Sequence, residues 1–68
     1  MRPGRQEVLD ALLELEREVA WLPTVREIAA RAGKSPSVTH GHLRGLVATG
    51  YINQVHRSAN QVAYVSAL

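Results

Sequence analysis

Sixty-eight residues, 46 % of them hydrophobic and none a cysteine, allow one domain with a thin core and exclude a disulfide framework, a thiolate zinc site and, with no apolar run near eighteen residues, a membrane span. The formal charge of +2 conceals a split: residues 1–27 hold all six acids (Glu7, Asp10, Glu14, Glu16, Glu18, Glu27) against Arg2, Arg5, Arg17 and Arg26, whereas residues 28–68 hold Arg31, Lys34, Arg44 and Arg57 with no acid. Such a distribution predicts an acidic face and a basic face, the second suited to phosphate.

Met1 to Gly4 reads as a frayed start, because Pro3 and Gly4 both disfavour helix continuation. Val8, Leu9, Leu12, Leu15 and Val19 then recur at three- and four-residue steps opposite Glu7, Asp10, Glu14, Arg17 and Glu18, which predicts a supporting helix over about 5–19. Leu13 lies at the edge of that stripe, and Glu16 falls within it, where it is expected to reach back to water. Trp21-Leu22-Pro23 is too short and proline-limited for a helix and reads as an extended link or a one-pair strand. Trp21 itself is expected to pack in or at the edge of the core.

Thr24-Val25-Arg26-Glu27 has the spacing of a capping box, with the Thr24 hydroxyl placed to accept the third backbone N–H and Glu27 to reach back to the cap. It opens a helix over 24–32 that turns Val25, Ile28, Ala29 and Ala32 inward and ends at Gly33, a residue tolerant of the left-handed conformation. Lys34 crosses a tight turn. Ser35-Pro36 begins a third helix over 36–49, serine as cap and proline at the first position. In it Thr39, Leu43 and Leu46, with His42 and Val47 to a lesser degree, turn inward; Ser37, Val38, His40, Gly41, Arg44 and Ala48 turn outward; Gly50 ends it. Gly41 and Gly45 each cost roughly 1 kcal/mol relative to alanine, and their four-residue spacing leaves a groove for another backbone.

Tyr51 to His56 and Gln61 to Ser66 are strand-like runs around the polar loop Arg57-Ser58-Ala59-Asn60 and predict a hairpin over 51–66. Ile52, Val55, Val62 and Tyr64 cannot all face inward without a bulge or a strong twist. The order of elements makes the whole chain, 1–68, a single α+β winged helix-turn-helix, a three-helix bundle with a small antiparallel hairpin as its wing.

The runs Leu22-Pro-Thr-Val-Arg-Glu-Ile-Ala-Ala-Arg-Ala-Gly, Ser35-Pro-Ser-Val-Thr-His-Gly-His-Leu-Arg-Gly-Leu and Gly50-Tyr-Ile resemble the N-terminal DNA-binding domain of the LexA repressor and, more loosely, winged-helix bacterial regulators, across about residues 5–65. The resemblance implies repression by a dimer on an operator, with the second helix of the turn motif in the major groove. The family's serine-lysine self-cleaving domain, which also supplies dimerisation, has no counterpart here. His40 and Gly41 stand where the family helix carries two adjacent acids, so the operator should differ.

A helix-turn-helix reads base edges near the N-terminal half of its second helix. Ser35 and Ser37 suit phosphate or several base edges, Val38 a thymine methyl, His40 an acceptor on either, Arg44 guanine or phosphate, and Gly41 permits close approach. Arg26 and Lys34, beside helix N-termini, are candidate phosphate clamps; Arg57, Ser58 and Asn60 at the wing are candidates for the backbone or the minor groove. The bland readings of these same groups are a solvated helix face, ordinary surface charge and an ordinary hairpin tip. His40 and His42 point to nearly opposite sides of their helix and His56 stands alone, so no metal site is expected. Without a nucleophile beside a base, paired carboxylates or a phosphate-cradling glycine loop, no catalytic residue, cofactor or small-molecule ligand is expected.

The sequence therefore predicts a cytoplasmic, nucleoid-associated regulator that binds double-stranded DNA sequence-specifically, as a repressor. Because single modules bind weakly, a homodimer is expected, with the first helix or the apolar tail Tyr64 to Leu68 in the contact. Two competing classes are a winged-helix adaptor for protein, such as an antirepressor or polymerase-binding factor, docking on Val38 and the Gly41/Gly45 groove, and an architectural or replication-associated DNA binder without sequence preference.

Overall fold

Local chemistry sets the ends of each element in the computed structural model, which describes residues 2–18 and 22–67. Helix α1 runs Pro3–Glu18, starting two residues before the expected limit at Arg5. Pro3 takes the first helical position, where its missing N–H would have no intrahelical acceptor anyway, and the Gln6 N–H closes the first turn onto the Arg2 carbonyl at 3.0 Å. Pro3 and Gly4 thus begin the helix instead of fraying. Val19 and Trp21, and the packing expected of them, lie outside the described residues.

Helix α2, Val25–Ala32, carries both arms of the expected capping box and ends at Gly33 with φ +69°. The Lys34 N–H donates to the Ala29 carbonyl at 3.0 Å, which satisfies an orphan of the last turn. Helix α3, Pro36–Ala48, is capped by Ser35, whose side chain accepts the Val38 N–H at 3.2 Å. Gly50 adopts φ +84° just past its end; its N–H reaches Val47 and that of Tyr51 reaches Leu46, the paired bonds of a Schellman motif.

Strands β1, Ile52–Ser58, and β2, Gln61–Ser66, pair antiparallel. β2 has the expected limits, whereas β1 starts one residue later than expected and runs on past His56 to Ser58, so the loop tightens to Ala59-Asn60. The register shifts between His56 and Ser58, and that bulge at Arg57 answers the imperfect alternation. Ile52 and Tyr64 are buried while Val55 and Val62 are half-buried. On its other edge β2 meets the link: the Tyr64 N–H donates to the Pro23 carbonyl at 3.0 Å, and Thr24 bridges Ala63. The single bridge pair expected of the link forms at Thr24, not at Leu22 or Pro23.

The core joins Val8, Leu9, Ala11 and Leu12 of α1, Ile28 of α2, Leu43 and Leu46 of α3, Ile52 and Tyr64. Each fully buried Leu or Ile contributes about 1.5–3 kcal/mol, enough for Leu43 and Leu46 to offset the two glycines inside α3. Two expectations are corrected here. Glu16 does not turn to water: its Oε2 accepts the Ser66 N–H at 2.9 Å, because the apolar side of α1 faces the end of the hairpin and that N–H needs an acceptor. Tyr64 is 1 % exposed, so it is a core residue and cannot lead an apolar tail into a dimer contact.

Thr39 is fully buried in α3 and its hydroxyl has no hydrogen-bond partner among the described residues. An unsatisfied buried hydroxyl costs about 1–3 kcal/mol. Thr39→Val, which keeps the shape and removes the polar group, should therefore stabilise the fold by about 1 kcal/mol, read as a rise in the urea midpoint at unchanged slope. A lowered midpoint would show that the hydroxyl is satisfied in solution.

Candidate nucleic-acid interface

Thr39, Leu43 and Leu46 are the buried residues of α3, and Ser37, Val38, His40, Gly41 and Arg44 are exposed, as the helical spacing predicts. Val38 is 52 % exposed, an apolar side chain held in water on an otherwise polar surface. His42 is half-buried, its ring against the start of α1: a Cβ on Gly4 would lie 3.1 Å from its Nε2. The two-glycine groove expected from the sequence does not form as such. Nothing lies within 4 Å of a Cβ placed at Gly41, but one at Gly45 would meet the Arg5 guanidinium, 2.6 Å from Cζ. Only Gly41 offers open backbone.

The candidate clamps are placed unevenly. Arg26, on the first turn of α2, shares with Asn60 a cleft of about 410 Å³ between that helix and the wing, also lined by Thr24, Val25, Gln61 and Val62. Lys34 is paired with Glu7 at 3.0 Å, and Arg57 with Glu27 at 3.1 Å. Arg31 forks onto Glu18, with Nη1 to Oε2 at 2.6 Å, and also reaches Glu14. Ser58 and Asn60 are exposed at the wing tip, as is His56 along β1. Ser35 is also exposed, its oxygen engaged as the α3 cap.

The expected division into an acidic and a basic face is therefore corrected. Packing α1 and α2 against the remaining elements brings the acids of the first half onto three of the four cations of the second. Arg44 is the one left with no hydrogen bond or ion pair among the described residues. In two of these pairs the carboxylates of Glu7 and Glu27 are exposed, whereas Lys34 and Arg57 are half-buried.

Glu27 joins the helix-turn-helix to the wing. A single oxygen, Oε1, accepts the Thr24 N–H at 2.9 Å, the Thr24 hydroxyl at 3.0 Å and Arg57 Nη1 at 3.1 Å. The Thr24 N–H, more than Arg57, holds this carboxyl below the ordinary glutamate value of 4.5. Because the folded value is depressed, the contribution is complete above that ordinary value and fades as pH falls through the folded one. Glu27→Gln should melt lower than the parent at neutral pH, and the gap should close in acid below about pH 4.5; a gap independent of pH would show that the charge does not matter. Glu18 is lowered in the same way by the hydrogen bond from Arg31.

Sequence reasoning missed Arg5 as a neighbour of α3. The signal was the glycine at position 45, whose helix cost implied a close approach, although not from which segment.

A family model described as the IclR helix-turn-helix domain matches residues 7–56, from the first half of α1 through the helix-turn-helix into β1. No curated protein and no solved structure matches the chain. The resemblance read from the sequence holds at the level of a winged helix-turn-helix DNA-binding domain; the narrower likeness to LexA receives no specific support.

Proposed function

As the chain belongs to the IclR helix-turn-helix domain family, we propose that it is a transcriptional regulator that recognises a particular double-stranded DNA sequence and represses from it, with α3 in the major groove. One observation carries the reading: Ser37, Val38, His40, Gly41 and Arg44 form a continuous exposed surface on a helix that its other side pins to the core. Each type has a use in a groove. Arg44 forks onto guanine, Val38 meets a thymine methyl, His40 and Ser37 bond to base edges, and Gly41 lets the groove come close. Arg26, Lys34 and Arg57, with Ser35, Ser58 and Asn60, contact phosphates and set the register.

A single module covers roughly 600–1,000 Å² of DNA-facing surface, so two copies on a two-fold site give the affinity a regulator needs. The protein works as a binding module and not as an enzyme. No helix of the described residues is long and apolar enough to cross a membrane.

The test is to titrate the protein against a random duplex pool at two salt concentrations and sequence what is retained. Steep salt dependence with an enriched palindrome supports the regulator. Salt dependence without a motif points to an architectural binder, and no retention to a protein adaptor; either result removes the proposal.

A further inference from the structure

Arg5 is a half-buried cation that the helix-turn-helix reading leaves unexplained. It stands in the first turn of α1, which contains no acid, and its guanidinium lies across α3 at Gly45, where a Cβ would come 3.1 Å from Nε and closer still to Cζ and Nη2. Its Nε is buried with no hydrogen-bond partner among the described residues. The terminal nitrogens have no acceptor among the described residues and are not fully buried, so they keep some access to solvent beside α3.

Arg31, Lys34 and Arg57 each have a carboxylate; Arg5 has none among the described residues. A partly desolvated cation without a partner costs stability, and so does glycine within a helix. Folding alone does not account for either, whereas an anion from outside the chain accounts for both. The place suits one. Gly45 is one helical turn from Gly41 on the same edge of α3 and adjoins Arg44. Lys34 Nζ lies 3.9 Å from a Cβ position on Gly4, next to Arg5 in α1. Two cations therefore flank α3 on its α1 side.

We infer that Arg5 is a DNA-phosphate contact acting from outside the helix-turn-helix, gripping the strand that passes along the α1 side of α3, and that position 45 is glycine to seat it. This rests on the DNA reading above. As a phosphate contact Arg5 adds affinity and salt dependence but no sequence information.

The experiment measures binding of the selected duplex and of a scrambled one, at roughly 50 and 200 mM salt, for the parent, Arg5→Gln, Arg5→Lys and Gly45→Ala, each also melted thermally. Arg5→Gln should melt no lower than the parent, bind both duplexes more weakly, and make the slope of log K against log salt shallower by about 0.9. Arg5→Lys should keep most of the slope. Gly45→Ala keeps every charge and improves the helix, yet should weaken binding as Arg5→Gln does, because its methyl displaces the guanidinium; it also carries the test if Arg5→Gln does not fold. Unchanged affinity and slope in Arg5→Gln or in Gly45→Ala overturn the inference, as does a lower melting temperature in Arg5→Gln with the slope intact, which marks a packing residue. Failure of the parent to retain any duplex removes the DNA reading and this inference with it. Parental binding to a motif with an affinity and a salt slope that Arg5→Gln leaves unchanged removes this inference alone.

Discussion

Tyr64→Ala is expected to leave a largely unfolded population at room temperature, although the residue belongs to the wing. Tyr64 is 1 % exposed and sits where β2 meets α1 and the Pro23–Thr24 link. Its burial is deep enough to push the phenol above its ordinary value, an effect that Arg44 only partly opposes. Truncating a buried large aromatic costs about 3–5 kcal/mol. At about 0.05–0.15 kcal/mol per residue, a domain this small has only about 3–10 kcal/mol in total. Tyr51→Ala is the control: that side chain is 40 % exposed and its loss should change stability by less than about 0.5 kcal/mol. Urea melts of the two variants check the contrast. A loss below about 1 kcal/mol for Tyr64→Ala would mean that the hairpin is an appendage and not a wall of the core.

Arg44→Ala is expected to weaken binding of the selected duplex by about 1–3 kcal/mol and to relax preference at one base pair. It should leave folding stability within about 0.5 kcal/mol, since the side chain is exposed and has no hydrogen bond or ion pair among the described residues. Arg26→Ala is the comparison, because a phosphate contact should weaken all sequences alike and lower the salt slope by about 1. Repeating the duplex selection with both variants separates the two roles. An unchanged preference profile for Arg44→Ala would count against α3 as the reader.

Where an element begins or ends is governed by groups close together in the chain, and those were legible. Thr24 with Glu27, Gly33, Ser35 with Pro36, and Gly50 act within one turn, so their types and spacing determined the limits of α2 and α3. The inward face of α3 followed from the helical period alone. Pro3 was misjudged because the same residue breaks a helix in its interior and opens one at its first position, and which applies depends on the turn that follows.

Pairings across the chain were a different matter. Nothing in the local pattern tells Glu16 that the Ser66 N–H will need it, Gly45 that Arg5 will lie across it, or Lys34 and Arg57 that Glu7 and Glu27 will reach them. The sequence by itself determined the three helices, their caps, the presence of a hairpin and the residue types on the outer face of α3, since these depend on contacts a few residues apart. Only the tertiary structure decided the register of the wing, the burial of Tyr64, the occupant of Gly45 and which cations face solvent unpaired. Those depend on which surfaces meet when the helices pack, and charge counted along a chain does not say where it lies in space.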